Sequence, residues 1–455
     1  MRTMRRRDFL KKTALVYPTI AGLKLIHPRK TTAVKKVIII GAGFAGLAAA
    51  KKLKEQGIDV SIVEARSRVG GRVFSHQPAT AKDAVIELGA EWVGNSHERV
   101  IDLCNELGLT LVNNSFQSDL TMHGKHHTKG SWSMSKEGQH FWENKTTIWE
   151  GLSPEEKEKL DKTDWWRLLS SQKLDENDLA IRELLDSTDF GESIRHVSAF
   201  AAFAEYAESS ENNEMDLKIK GGNSRLAEKM ADTIGRENIF LNHQVETIEQ
   251  KEGVVVYCTN GKKWEADRVI CTVPVWSLLR INWKPGLPND LLEAANSLQY
   301  ARIGKYPMVF SHKFWGREDF DMITDTPAHY FYHGTKDQKM KGGVLMCYAT
   351  GDKAEVLASI DKQQRKKIIL NALKPAFGDV SAYLKEDLMY YWCSDVHTRG
   401  AYAFYGKNQW LTTRITLAQP FMKCYFAGEH LADWQGFMEG AIVSGEDAAQ
   451  NVLAS

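Results

Sequence analysis

Between residues 36 and 74 the apolar positions switch from one period to another and back. Residues 37–40 (Val-Ile-Ile-Ile) form an unbroken β-branched run, which fits a strand buried on both faces. Residues 47–56 carry apolar side chains at helical spacing and stop at Gly57. Residues 60–63 read as a second strand, and Glu64 closes it. The prediction is a strand–turn–helix–strand unit with Gly41, Gly43 and Gly46 in G-x-G-x-x-G order at its first turn. Gly41 permits the tight turn, Gly43 lets a diphosphate approach the backbone, and Gly46 lets helix and strand pack closely. The helix N-terminus offers free N–H groups and about half a positive charge to phosphates. Glu64 is placed to accept ribose hydroxyls, and its charge disfavours a ribose that carries a phosphate.

Downstream, the pattern predicts an extended segment over 85–94 and a helix over 95–107, capped by Asn95 or Ser96 and ended by Gly108. Helices follow over 154–169, 178–185 and 191–210, then over 226–234. Strands are expected at 239–241, 245–248, 253–259 and 266–274, with a hairpin at Asn260-Gly261. Strands at 308–310 and 344–348 and a helix over 361–373 precede a last strand at 425–429 and a terminal helix. Glu205, Glu208, Glu211 and Glu214 recur every three residues, which reads as a solvated acidic face or as a cation-attracting rim. A chain of 455 residues that is 43% hydrophobic can bury the cores of two or three domains.

Charge changes the picture at one end. The net charge is +1, yet residues 1–33 hold nine Lys/Arg and a single acid, leaving 50 basic against 57 acidic residues beyond. That excess of acid argues against nucleic acid as a partner and suits the steering of cations. The six cysteines stand singly with no C-x-x-C, so neither a zinc site nor any other metal site is indicated. Arg6-Arg7-Asp8-Phe9-Leu10-Lys11, followed by an apolar stretch over 13–26 broken by Pro18 and Lys24, resembles a twin-arginine export signal. The resemblance implies export of the folded protein to the periplasm by the twin-arginine machinery. Thr31-Thr32-Ala33 is the nearest cleavage candidate, and an uncleaved membrane anchor stays open.

Arg66, Gly70, Gly71 and Arg72 form a second glycine turn just after the ribose acid. With the first turn they resemble the FAD signature of the flavin-containing amine oxidase family, which includes monoamine oxidases and L-amino acid oxidases. The resemblance extends through 35–110, 215–310 and 385–455. It implies an α/β fold in which a glutathione-reductase-like FAD-binding Rossmann domain is assembled from 34–90, 215–275 and 389–455. An α+β substrate domain of mixed sheet and helices then takes 91–214 and 276–388.

Site residues follow from the same resemblance. Gly89, Ala90, Glu91 and Trp92 would run beside the isoalloxazine, Val245 would meet the adenine, and Gly428 and Glu429 the ribityl–pyrophosphate. Phe437 and Met438 would open the last helix against the flavin. Lys305 takes the place of the lysine that reaches flavin N5 through a water. Tyr402 and Phe437 stand where the family has two rings flanking the amine, whose faces attract cations. Ala401 replaces the cysteine that some members bond to the flavin, so the FAD is expected to be non-covalent. L-amino acid oxidases need a cation for the substrate carboxylate. This chain has Glu91 where their arginine-bearing stretch lies, although Arg302 or Arg399 could serve from elsewhere.

The expected activity is oxidation of a primary or secondary amine to an imine, then to an aldehyde and ammonia or a smaller amine, with oxygen reduced to hydrogen peroxide. The alternatives are an L-amino acid oxidase, an amine dehydrogenase with a periplasmic electron acceptor, and a flavin-binding protein without turnover. A homodimer stays open.

Overall fold

The computed structural model describes residues 34–210 and 213–455. The twin-arginine stretch and Glu211 lie outside the described residues. Lys36–Ile40 forms the middle strand of a five-stranded parallel sheet ordered Cys424–Phe426, Arg268–Cys271, Lys36–Ile40, Asp59–Val63, Ile239–Phe240. Its β-branched run is explained by its neighbours. Val37 and Ile39 face one apolar layer and Ile38 and Ile40 the other. The helix Phe44–Glu55 covers one face and packs on the last helix, Met438–Leu453. Gly445 makes that crossing possible, since a Cβ there would stand 2.0 Å from the Ala45 carbonyl oxygen. Strands from three distant parts of the chain thus meet in one sheet.

A four-stranded sheet is built on the hairpin of Val254–Cys258 and Lys263–Ala266, with Gly261 at φ +77° in its turn. A larger mixed sheet joins Ile303–Phe310, Gly343–Thr350, Tyr330–His333, Phe320–Thr324 and Gln117–Met122. All eight residues of Ile303–Phe310 are buried. Alternation puts Tyr306, Met308 and Phe310 into the layer beneath Gly351–Ser359 and Lys362–Phe377. It puts Ile303, Lys305 and Val309 on the opposite face, toward the cavity described below.

Several expected elements differ. The extended segment at 85–94 forms ladder bonds only at Ile86–Glu87. The helix after it starts at Glu98 behind His97, with no side-chain cap from Asn95 or Ser96. The helix expected over 154–169 is two, Pro154–Leu160 and Trp165–Ser171, because Asp164 accepts the Arg167 N–H and starts a new turn. The one over 191–210 is only Ala199–Glu208, capped by Ser198. The helix Lys136–Gly151 was not foreseen; its Phe141 and Trp149 rings pack against Phe203.

Candidate active site

One continuous cavity runs from the glycine turn to the faces of Tyr402 and Phe437. At its first end Gly41 (φ +103°) sits where an added Cβ would lie 2.6 Å from Thr272 Oγ1. Gly46 does not line the cavity; a Cβ there would meet the Gly41 carbonyl oxygen at 2.0 Å, so its role is close packing of helix on strand. A Cβ on Gly43 would meet nothing within 4 Å, and one on Gly71 would come within 3.3 Å of Gly43 Cα. Two glycine turns therefore leave a bare backbone cradle where side chains would intrude. Glu64 holds this end together, accepting the Ala42 N–H at 2.7 Å and the Arg66 N–H at 2.8 Å. His243, Gln244 and Val245 line the same end.

Both arginines of the second turn are fixed by carboxylates from the far end of the chain. Arg66 makes a two-pronged contact with Asp395, at 2.6 and 2.7 Å. That guanidinium holds the Asp395 carboxyl well below the usual range despite its partial burial. Arg72 meets Glu429 at 2.5 Å. Glu429 also accepts the Gly436 N–H at 2.8 Å and the Ala403 N–H at 3.2 Å. One buried carboxylate thereby ties together the second glycine turn, the short strand Ala403–Phe404 that follows Tyr402 and the approach to the last helix.

Gly89, Ala90, Glu91 and Trp92 line the middle of the cavity. Opposite them Lys305, 2% exposed, donates to the carbonyls of Gly89 (2.9 Å) and Glu87 (3.0 Å) and to Glu91 Oε2 (3.2 Å). Its Nζ lies between 5.5 and 5.9 Å from the centres of the Trp92, Tyr332 and Tyr348 rings. Tyr332 donates its hydroxyl to the same Glu91 oxygen at 2.5 Å. Glu91 is therefore not a bare charge facing a substrate.

At the far end Tyr402 and Phe437 both line the cavity. The Tyr402 hydroxyl donates to the carbonyls of Thr188 (3.2 Å) and Asp189. Burial pushes that hydroxyl well above its ordinary pKa. Phe437 is held edge-on by His97, with ring centres 5.0 Å apart, and by Trp434 at 5.7 Å. The His97 ring is kept neutral by burial, at about 3, and its Nδ1 accepts the Gly94 N–H at 2.9 Å. Ala401 also faces the cavity, whereas Cys393 and Cys424 are not among its lining residues.

The acidic residues at this end carried no motif. Asp189, Glu205 and Glu214 line the cavity, the last two being 3% and 1% exposed. The solvated-face reading of Glu205 and Glu214 is thus overturned: Glu205 is buried inside its helix bundle, and Glu214 lies beyond the helix altogether. Glu214 is held by Ser96 Oγ at 2.5 Å and the Ser210 N–H at 2.6 Å. Asp189 Oδ2 accepts from Tyr206 Oη at 2.7 Å and Asn213 Nδ2 at 2.6 Å. Burial, with Asp186 nearby, pushes the Asp189 carboxyl up to about 7. No cation answers these acids from the positions proposed for one. Arg302 is locked between Glu192 (2.8 Å), Glu355 (2.6 Å) and Asp352 (2.8 Å). Arg399 lies over the Trp276 ring and does not line the cavity.

Comparison with known proteins points the same way. The family model "Flavin containing amine oxidoreductase" matches residues 44–453. The chain is 27% identical to human amine oxidase [flavin-containing] B over 458 residues, covering 92% of this chain and 86% of that protein. It is 25% identical to horse amine oxidase [flavin-containing] A, covering 92% and 84%. Among solved structures, putrescine oxidase bound to putrescine superposes with a TM-score of 0.83 at 24% identity, over 92% of this chain and 99% of the other. Cyclohexylamine oxidase from Brevibacterium oxydans IH-35A gives a TM-score of 0.81 at 22% identity, over 93% and 99%. With its bare glycine cradle at one end and two aromatic rings among acids at the other, this chain belongs to the flavin-containing amine oxidoreductase family and is an FAD-dependent oxidoreductase acting on amines.

Proposed function

We propose that the enzyme oxidises an amine carrying a second positive charge, with oxygen as electron acceptor and FAD held without a covalent bond. The carrying observation is the substrate end of the cavity, where Asp189, Glu205 and Glu214 gather and Arg302 is already spent on Glu192, Glu355 and Asp352. A substrate carboxylate would meet the acids Asp189, Glu205 and Glu214 there, which disfavours an amino acid. A distant ammonium group on the substrate would find acids.

Bound FAD supplies the capacity to take two electrons and a proton from the C–N bond. Glu64 and Val245 would hold its adenosine end, Gly41 and Gly43 its phosphates, and the 89–92 backbone with Phe437 and Met438 its ring end. The chain's own residues do the rest. Tyr402 and Phe437 present ring faces that orient the reacting nitrogen. The N-terminus of Met438–Leu453 brings positive dipole to the ring end. Lys305, buried beside the 89–92 backbone, donates from Nζ to the Glu87 and Gly89 carbonyls and to Glu91. The overall balance is R–CH2–NH2 + O2 + H2O giving R–CHO + NH3 + H2O2.

The purified protein, mixed anaerobically with diamines, monoamines and amino acids, should lose its oxidised flavin spectrum fastest with diamines. Admitting oxygen should then give peroxide in equal amount. Bleaching by amino acids alone would overturn the substrate assignment, and reoxidation only by an added carrier would make it a dehydrogenase. Export to the periplasm is supported by the Arg6-Arg7-Asp8-Phe9-Leu10-Lys11 stretch. Replacing Arg6 and Arg7 together by Lys should leave the flavoprotein in the cytoplasm, and unchanged fractionation would refute that route.

A further inference from the structure

Behind the segment that carries Glu87 and Glu91 lies a second cavity of about 180 Å³. Lys218 enters it from the short strand Leu217–Ile219. The side chain is buried at 7% exposure, and its Nζ has no hydrogen-bond partner within the protein. An ammonium group has three donors, and leaving them unmet in an apolar setting is costly. Here the surroundings are polar. Glu87, Glu91, Asp337 and Glu318 attract the ammonium, while Lys336 repels it. A polar cavity of this size holds several waters.

Glu91 is the residue common to both cavities. On one side it accepts from Lys305 at 3.2 Å, and on the other it borders the space into which Lys218 projects. The main-chain carbonyl of Glu87 accepts from Lys305, and Glu87 also lines the second cavity, its carboxylate accepting from Ser75 Oγ and the Asn223 N–H. At the outer end the lining residues Lys220 and Asp337 are exposed, so the cavity reaches solvent.

We propose that this cavity is the proton route of the active site, in which Lys218 recharges Lys305 through water and the Glu91 carboxylate. A proton leaves Lys218 Nζ for water, and water gives one to Glu91. Glu91 then passes a proton to Lys305 Nζ, and Lys218 regains its own from solvent. Each transfer breaks one N–H or O–H bond and makes another, with no change in oxidation state. Burial lowers the pKa of Lys218 and, with Glu91 nearby, raises Glu87 to about 7, so both exchange protons nearer neutrality than free side chains do. The route rests on the proposed reduction of oxygen, which consumes protons in step with electrons.

The test reduces the holoenzyme's flavin with light, so that no amine is needed, and follows reoxidation by oxygen in H2O and D2O. Lys218→Met should slow reoxidation about tenfold and enlarge the solvent isotope effect, with FAD content and the visible spectrum unchanged. Lys218→Arg keeps the charge but releases no proton, and should stay as slow. In the unsubstituted protein, with isotope-labelled glutamate, the infrared carboxylate bands of Glu87 and Glu91 should shift as Lys218 titrates. Wild-type rates and isotope effects in the Met variant would overturn the route. So would full recovery in the Arg variant, or labelled bands indifferent to the titration. Failure of every amine to bleach the flavin would instead refute the substrate reading, leaving this measurement intact.

Discussion

Arg72 and Glu429, 357 residues apart in the chain, meet at 2.5 Å beside the cofactor cavity. Both side chains are largely buried, and Glu429 also accepts N–H groups from Gly436 and Ala403. Removing one partner leaves a buried charge and two amides without an acceptor. Glu429→Ala should therefore destabilise the protein by about 3 kcal/mol and lower its FAD content. Glu429→Gln, which keeps an acceptor oxygen, should lose less. Urea denaturation and the ratio of flavin to protein absorbance check both. Equal stability of the Ala variant and the wild type would show that the contact only fills space.

Lys305→Met removes the donor to Glu87 O, Gly89 O and Glu91 while leaving the cradle of Gly41, Gly43 and Gly71 untouched. Flavin should stay bound, and turnover should fall by about 100-fold, the range of a lost proton-handling group. Stopped-flow reduction and reoxidation assign the loss to one half of the reaction. Unchanged kinetics in both halves would remove Lys305 from the mechanism.

How much of this was legible in the sequence depends on how local the cause is. The cradle was readable because Gly41, Gly43 and Gly46 act within one turn and one helix. Lys305 and Tyr402 were located only through resemblance, since the cavity face of Ile303–Phe310 is fixed by pairing with Gly343–Thr350. Asp189, Glu205 and Glu214 were opaque for the same reason. The Asp189 carboxylate is held by Tyr206 and Asn213 and that of Glu214 by Ser96, partners that no spacing rule selects. Lys218 alternates with apolar neighbours like any strand residue, and only the fold reveals the cavity behind Glu91.

The rings at the far end separate shape from hydroxyl chemistry. Tyr402→Phe keeps the ring face and loses only the bonds to Thr188 O and Asp189 O, so kcat/KM should fall less than about tenfold. Tyr402→Ala removes a ring face worth about 0.5–2 kcal/mol as well as its packing, and should cost considerably more. Phe437→Tyr adds a hydroxyl and should leave the rate within about tenfold. A Tyr402→Phe variant as slow as the Ala variant would mean that the hydroxyl, not the ring, does the orienting.

Ala401 faces the cavity without a thiol, and the scattered cysteines are elsewhere. Acid precipitation should therefore release all the flavin into the supernatant, where its absorbance is measured. Yellow colour retained in the pellet after washing would disprove the non-covalent attachment.

Asp189 should set the lower limb of the pH profile. Its folded carboxyl is raised to about 7 by burial and by Asp186, against about 3.9 in an unfolded chain. Below about 7 it is neutral and attracts no cation; above, it is ionised and would hold the distant ammonium group of a diamine under the proposed function. For diamines kcat/KM should therefore rise with pH through an inflection near 7, and Asp189→Asn should abolish that inflection. Monoamines of similar length should be little affected by the substitution. Stability runs the other way, because the folded state binds the extra proton between about 4 and 7. The contribution is whole below about 4, weakens through that window, and is lost once the pH passes the folded value. Asp189→Asn should consequently gain on the wild type in thermal denaturation as the pH is raised to 8. If the variant kept the wild-type inflection with diamines, the group titrating near 7 would lie elsewhere, and Asp189 would be a structural carboxyl held by Tyr206 and Asn213.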